Sequence, residues 1–126
     1  MNQQSSPPAN GFVELRDKDS LDRFLAQSNG APAIIFKHSN SCGISAGAYE
    51  EMSRLNRQVG LVTVQTARDV SNDIEARTGV AHHTPQVFII RDGKVMWTAS
   101  HGRISAASVA AALIEANGQA AVPQDG

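Results

Sequence analysis

Apolar residues recur along this chain with two different spacings, and the change between them predicts alternating strands and helices. Residues 33–38 begin with four consecutive apolar side chains and show no alternation, which is typical of a strand covered on both faces. From Gly43 to Val59 the apolar positions are three or four residues apart, which predicts a helix that ends near Gly60. The Val-rich run from Leu61 to Gln65 then predicts a second strand.

The same patterns predict shorter elements on either side of this strand–helix–strand unit. Asp19 and Ser20 are expected to cap a helix that runs to Gln27 and stops before Asn29-Gly30. The other predicted elements are a short edge strand at Phe12–Leu15, a helix from a Ser71 cap to Thr78 that stops at Gly79, strands at Gln86–Arg91 and Lys94–Ser100 joined by an Asp92-Gly93 turn, and a last helix that Ser105 caps, with Val109, Ala112, Leu113 and Ala116 on its apolar face.

The order of these elements predicts an α/β domain with a thioredoxin-like plan. A β-α-β unit followed by a β-β-α unit gives a four-stranded mixed sheet flanked by helices. The expected strand order is second, first, third, fourth, with the last strand antiparallel. We assign residues 12–117 to this domain, 1–11 to a disordered leader and 118–126 to a flexible tail.

Composition limits the classes of function. A chain of 126 residues suits one domain, and a net charge of -1 offers no basic field for nucleic acid or an anionic membrane. No apolar run is long enough to span a bilayer, and the polar start resembles no signal peptide. The single cysteine excludes an internal disulfide. We therefore expect a cytoplasmic protein, and a monomer unless its one thiol forms an intermolecular disulfide.

Cys42 is the first candidate for chemistry, because it lies between the predicted strand at 33–38 and the helix that starts at Gly43. Backbone N–H groups and the helix dipole favour negative charge at a helix N-terminus, and the thiolate is the reactive form of cysteine. The alternative is a buried structural cysteine, since free cysteine is among the most buried residue types. The strand–cysteine–helix context favours thiol chemistry.

Thr84-Pro85 is the second candidate, because it opens the third predicted strand. In thioredoxin-like folds a cis-proline at this place lies against the active-site cysteine. A cis bond would turn the backbone of Thr84 toward Cys42 and leave its N–H and C=O free for an extended substrate. The alternative is a trans proline at the start of an edge strand.

The four histidines are further candidates for site residues. His38 either acts as a cation or donor near the thiolate or caps the strand end, while His83 is expected near the site and His82 away from it. His101 is assigned a structural or surface role. Cys42, His38 and His83 could in principle bind a metal, but the spacing typical of zinc ligands is missing, so we expect no metal site.

Other polar and aromatic residues leave alternatives open. Lys37 and Arg68 could supply positive charge for a thiol that carries carboxylates, or they could be solvated surface. Tyr49 and Trp97 could line a groove, although a single Trp in a strand usually belongs to the core.

With these residues in view, the chain resembles the monothiol bacilliredoxins of the YtxJ-like type, within the thioredoxin superfamily. The resemblance covers about residues 12–114, and the Cys-x-x-Ser element alone is weak evidence for it. The stretches that carry it are Phe36-Lys37-His38-Ser39, Cys42-Gly43-Ile44-Ser45, Ala81-His82-His83-Thr84-Pro85-Gln86, Asp92-Gly93-Lys94 and Ser100-His101.

The resemblance implies a disulfide exchange in which Cys42 attacks bacillithiol bound to a client protein cysteine and releases the client. Ser45 stands where a dithiol enzyme has its resolving cysteine, so a second low-molecular-weight thiol or a separate reductase must regenerate Cys42. Ser45 would either bond the thiolate or cap the helix, and His38, Gly43, His83, Thr84 and Pro85 would contact substrate. No cofactor is expected to stay bound; bacillithiol is a co-substrate.

One residue departs from the family pattern, which has proline directly after the nucleophile where this chain has Gly43. Glycine keeps its N–H and loosens the turn, which leaves the thiol pKa open. Two alternative functions follow: a non-catalytic binding or adaptor module, and a glutathione-dependent monothiol glutaredoxin-like protein. A metal or iron–sulfur carrier is a third class.

Overall fold

The computed structural model describes residues 11–41 and 43–121, with side chains to residue 118. Residues 1–10 of the predicted leader, residues 122–126 of the predicted tail and Cys42 therefore lie outside the described residues. The inner bounds of both segments were wrong, because Gly11 belongs to the first strand and residues 118–121 to the last helix. The elements are β1 (Gly11–Glu14), α1 (Lys18–Ala26), β2 (Ala33–His38), α2 (Gly43–Ser53), β3 (Gln58–Thr63), α3 (Arg68–Thr78), β4 (Gln86–Arg91), β5 (Lys94–Ser100), a 3-10 turn (His101–Arg103) and α4 (Ala106–Ala121).

The sheet has five strands in the order β1-β3-β2-β4-β5. Strands β1, β3 and β2 are parallel, β4 runs antiparallel to β2, and β5 runs antiparallel to β4. The predicted order of strands β2 to β5 is confirmed. The predicted orientation was incomplete, because β4 as well as the last strand is antiparallel to the strand before it in the sheet. The predicted number of strands, four, was one too low. The fifth strand is β1, which pairs along β3, and its Phe12 stacks on Tyr49 with ring centroids 4.5 Å apart.

The predicted end of the second helix was wrong. Helix α2 ends at Ser53, and Val59 belongs to β3, where it pairs with both β1 and β2. Tight turns end the helix, since the N–H of Leu55 donates to the carbonyl of Met52 at 3.1 Å. The spacing of apolar residues continued past the helix end only because the next strand also supplies buried positions.

Two helices start at residues other than those predicted. Asp17, not Asp19, caps α1: its carboxylate accepts the N–H of Ser20 at 2.8 Å, and the Ser20 hydroxyl accepts the N–H of Asp17 at 3.1 Å. Helix α3 starts at Arg68, so Ser71 lies inside it and is buried. The predicted cap of α4 is confirmed, because Ser105 Oγ accepts the N–H of Ser108 at 3.0 Å.

Strand β2 separates the two layers of the core. Ile34 and Phe36 pack with residues of α2 and α4, whereas Ile35 packs with residues of α1 and α3. All six residues of β2 are buried, as the unbroken apolar run predicted. In the described part of the chain, no helix is both long and apolar enough to cross a membrane.

Lys37 is a polar exception within the α1/α3 layer. Its side chain has 0% exposure, its Nζ lies 3.2 Å from His82 Nδ1, and it sits 5.7 Å from the ring centroid of Phe88. Burial lowers the pKa of Lys37 to about 8, and the nearby charge of Glu75 opposes the shift. The alternative of a solvated surface lysine was therefore wrong, and Lys37 instead ties β2 to the segment that leads to Pro85.

Gly60 in β3 lies against Phe24 of α1 and Leu15, the residue after β1. A Cβ atom added there would lie 2.8 Å from Phe24 Cε2 and 2.9 Å from Leu15 Cδ1, which are both buried. The absence of a side chain at residue 60 is therefore a packing requirement of α1.

We expect Lys37→Met to raise the free energy of unfolding at pH 7 and to change how it depends on pH. In the wild-type protein, stability should rise between pH about 8 and 10.5, because the unfolded chain still binds the proton that folded Lys37 has released. The variant lacks this rise, while His82 keeps Ser71 Oγ at 3.2 Å. Urea unfolding across that pH range measures the difference.

Lys94→Met is the matched control, because Lys94 is exposed in β5. Its pH dependence should equal that of the wild-type protein. An unchanged slope in Lys37→Met would contradict a lowered pKa for Lys37.

We expect Gly60→Ala to lower the free energy of unfolding by about 1–3 kcal/mol, because Phe24 and Leu15 must leave their packed positions. Gly47→Ala is the control, since Gly47 lies in α2 with no atom within 4 Å of an added Cβ. That change should stabilise by about 0.5–1 kcal/mol through helix propensity. Chemical denaturation measures both, and equal effects of the two changes would contradict the packing argument.

Candidate active site at the turn between β2 and α2

The chain leaves β2 at His38 and enters α2 at Gly43 through a short turn of Ser39, Asn40 and Ser41. Cys42 follows Ser41 in the sequence and lies outside the described residues, but both of its neighbours are described. Helix α2 has no acidic residue in its first turn, so no carboxylate there opposes the positive end of the helix dipole.

Gln65, which follows β3, holds this turn through both ends of its side-chain amide. Its Oε1 accepts the N–H of Asn40 at 3.1 Å. Its Nε2 donates to the hydroxyl of Ser39 at 2.8 Å and to that of Ser41 at 3.2 Å. Sequence reasoning missed Gln65, because nothing local to residue 65 indicates contacts with residues 39–41.

Ser45 holds the turn from the helix side. Its side chain is fully buried, and its Oγ accepts the N–H of Ser39 at 2.9 Å. Its Oγ also lies 2.8 Å from His38 Nδ1. The hydroxyl of Ser45 thus joins the end of β2 to the first turn of α2, so that it has a role beyond simple helix capping.

His38 lies behind the turn, with only 8% exposure. Burial lowers the pKa of His38 below its ordinary value, and a hydrogen bond with the backbone of Ser45 opposes this shift. Its ring lies 4.9 Å from that of Tyr49, centroid to centroid. His38 forms part of the wall of an open groove of about 870 Å³, lined by Glu14, Arg16, His38, Asn40, Ala46, Tyr49, Glu50, Leu61, Thr63 and Thr66.

Thr84-Pro85 lies in the segment that precedes β4, and the bond between the two residues is cis. Buried Gln86 organises this segment: its Oε1 accepts the N–H of His83 at 3.2 Å and its Nε2 donates to the carbonyl of Ala81 at 3.0 Å. Pro85 is buried, and Thr84 is half-buried.

His101, for which a structural or surface role was predicted, is exposed and also contacts this segment. Its N–H donates to the carbonyl of Pro85 at 3.1 Å, and its ring meets that of His83 edge to face, with centroids 5.4 Å apart. Its φ of +55° is uncommon for a residue other than glycine. The 3-10 turn that starts at His101 packs on α2. Because Gln86 pairs with Lys37 near the end of β2, the Pro85 segment lies next to the turn that leads into α2.

The four histidines have different contacts. His38 contacts Ser45, His83 contacts His101, and His82 Nδ1 lies near Lys37 and Ser71 in the opposite layer. Desolvation and the charge of Lys37 lower the pKa of His82. Among the described side chains of residues 11–41 and 43–118, no three metal-binding groups form a cluster.

Comparison with solved structures identifies the fold. A structure described as a proposed oxidoreductase with a thioredoxin fold is 30% identical, covers 80% of this chain and 92% of its own, and has a TM-score of 0.75. Thioredoxin from Fasciola hepatica is 13% identical, with coverage of 81% and 96% and a TM-score of 0.65. Thioredoxin from Trypanosoma brucei brucei is 10% identical, with coverage of 90% and 97% and a TM-score of 0.70.

The two thioredoxins are too distant to show more than the fold, but the fold is that predicted from the order of elements. A match to a family model identifies the family as well as the fold. The model described as monothiol bacilliredoxin BrxC matches residues 13–109, which include the turn, α2 and the Pro85 segment. A match over that much of the chain shows that the protein belongs to the monothiol bacilliredoxin family.

Proposed function

We propose that this protein removes bacillithiol, or a related low-molecular-weight thiol, from mixed disulfides on protein cysteines, with Cys42 as its nucleophile. The observation that carries the proposal is the hydrogen-bonded turn of residues 39–41, which leads into the start of α2 beside the cis Thr84-Pro85 segment. In a thioredoxin-fold oxidoreductase family, this is the place for a reacting thiol.

The proposed reaction exchanges one disulfide bond for another. The Cys42 thiolate attacks the bacillithiol sulfur, the client–bacillithiol bond breaks, and the client cysteine leaves as a thiolate that takes up a proton. The new bond joins Cys42 to bacillithiol. A second small thiol, as thiolate, then attacks that bond, which releases a small-molecule disulfide and restores the Cys42 thiolate; a separate reductase is expected to recycle the disulfide.

The start of α2 supports a reactive thiolate. The first N–H groups of a helix have no partner within it and favour an anion. Gly43 is the first helical residue and, unlike proline, contributes its own N–H. Ser45 stands where a resolving cysteine would be, and Cys42 is the only cysteine, so the adduct has no internal route of release.

Client proteins would dock across the same region. Within the described ranges, no residue is a hydrogen-bond partner of the Thr84 backbone, which leaves it for an extended client segment. Ile44 follows at the first turn of α2, and 58% of its surface is exposed. An exposed apolar side chain and an unpaired stretch of backbone are both features that a peptide segment can use.

The remaining parts of the proposal come from the sequence. We propose a cytoplasmic monomer with no bound cofactor, no metal, and no nucleic-acid or membrane partner. Gly43 supported the alternative of an inactive adaptor, because glycine could weaken the start of the helix. Helix α2 nevertheless starts at Gly43, so the loss of proline has not removed the helix N-terminus on which a reactive thiol depends.

We expect the purified, reduced protein to gain the mass of one bacillithiol when it is treated with bacillithiol disulfide. Intact-mass spectrometry, with peptide mapping to Cys42, measures the adduct, and glutathione disulfide is tested in parallel. Cys42→Ser is the control and should gain nothing. A gain with glutathione alone would keep the chemistry and change the substrate, whereas no gain with either disulfide would favour the adaptor function.

We expect Gln65→Ala to slow adduct formation by about threefold to tenfold, because the turn loses three hydrogen bonds that each contribute about 0.5–1.5 kcal/mol to its order. Stopped-flow measurement of Cys42 modification gives the rate. Gln27→Ala is the matched control, since Gln27 is exposed at the end of α1. Equal rates in the two variants would show that Gln65 does not position the reacting thiol.

A further inference from the structure

Lys37 is a buried cation whose presence the stability of the fold does not explain. Its side chain has 0% exposure, and its Nζ lies 3.2 Å from an imidazole nitrogen, His82 Nδ1, rather than from a carboxylate. Removing an ammonium group from water costs free energy, and replacing a buried charge with an apolar side chain often raises stability. Another role therefore has to account for Lys37.

The contact between Lys37 and His82 determines the protonation state of the imidazole. An ammonium group has N–H donors and no acceptor, so Nδ1 of His82 accepts and carries no proton. Neutral His82 therefore has its proton on Nε2. The hydroxyl of Ser71, which is buried in α3, lies 3.2 Å from the same Nδ1. The ring of His82 is thus attached to β2 through Lys37 and to α3 through Ser71.

His82 belongs to the segment whose backbone the proposed function uses, since it lies two residues before Thr84. Its own N–H donates to the carboxylate of Glu75 in α3 at 3.3 Å. Its ring adds the contact to β2, the strand that leads into the turn of residues 39–41. Lys37 therefore connects the strand before the turn to the segment that contains Thr84.

We propose that Lys37 is a positioning residue, which holds the backbone of Thr84 in place for client peptides through the ring of His82, and that this contact opens in acid. The inference rests on the proposed function, since it assumes that clients pair with the Thr84 backbone. Lys37 then lowers the stability of the whole domain while it orders one functional segment. His82, which was expected away from the site, acts on it through the backbone.

The contact depends on pH because a second proton removes its acceptor. Once Nδ1 of His82 is protonated it cannot accept, and two positive charges face each other away from water. Burial lowers the pKa of His82, and so does the charge of Lys37. His83 and Arg68 act in the same direction, whereas the charge of Glu75 opposes it. The contact should therefore persist at neutral pH and be lost below pH 6.5, the ordinary value for histidine.

Loss of the proton from Lys37 does not break the contact. Burial lowers the pKa of Lys37 to about 8, but the neutral amine that forms above this pH still has N–H groups that donate to His82 Nδ1. The contact thus fails on the acid side alone. This separates its effect from the gain in stability that Lys37 produces between pH about 8 and 10.5.

The first test compares amide hydrogen exchange at His82 and His83 in the wild type and in Lys37→Met at neutral pH. Both N–H groups donate to side chains, so their exchange reports the order of the segment. In the variant both should exchange about threefold to tenfold faster, because one hydrogen bond to the segment is lost. The free energy of global unfolding should rise in the same variant.

Lys94→Met is the control for this exchange experiment, and its amides should exchange as in the wild type. If Lys37 had only a structural role, exchange at His82 and His83 would follow global stability and become slower in Lys37→Met. Slower or unchanged exchange would overturn the inference.

His82→Asn separates the hydrogen bond from its titration. The amide oxygen of asparagine can accept from Lys37 but takes up no proton, so exchange at His83 should equal that of the wild type at neutral pH. As the pH falls to about 5, protection at His83 should decrease in the wild type and stay constant in His82→Asn, after correction for intrinsic exchange. Because His82→Asn keeps Glu75, equal losses in the two proteins would place the acid effect elsewhere and overturn the inference.

Client docking is tested with a short peptide that carries one bacillithiol-capped cysteine, and with bacillithiol disulfide as a small substrate. In Lys37→Met the ratio of the peptide rate to the small-disulfide rate should fall about threefold to tenfold, through a higher KM for the peptide. His82→Asn should keep the wild-type ratio, and an unchanged ratio in Lys37→Met would overturn the inference. If Cys42 of the wild type reacts with neither substrate, the proposed function fails, while the exchange measurements still decide whether Lys37 orders the segment.

Discussion

The burial of β2 on both faces is the constraint on which the rest of this structure depends. A strand covered by helices on each side must send alternate side chains into two separate layers. At its carboxyl end these side chains are polar, so each needs a partner inside the protein. Lys37 forms a hydrogen bond with His82 in one layer, and His38 forms one with Ser45 in the other. Two adjacent residues thereby fix the two segments between which the proposed active site lies.

Those two segments come from distant parts of the chain, and hydrogen bonds from uncharged side chains hold each of them in place. On one side, Ser45 and Gln65 satisfy the backbone of residues 39 and 40. On the other side, Gln86 satisfies the segment before Pro85. Because these serine and glutamine side chains are uncharged, the position of the turn should not depend on ionic strength. A site held by surface ion pairs would depend on it.

Much of this fold followed from local patterns, and the errors have physical causes. Strand β2, the hairpin of β4 and β5 and the stop at Gly79, where φ is +72°, could be predicted because each depends on its own residues. The end of α2 could not, since Val59 continues a helical spacing while strand pairing decides its place. Likewise, Gln65 and His101 reach the site through contacts with residues distant in sequence, which no local pattern shows.

Gly43 lies at a position where the fold leaves room for other side chains. A side chain added at Gly43 would meet no atom within 4 Å, so packing does not select the residue there. What differs between glycine and the proline implied by the family resemblance is one backbone N–H and the freedom of one dihedral angle. A substitution at position 43 is therefore expected to change the backbone next to the proposed reactive thiol while it leaves the packing of the fold unchanged.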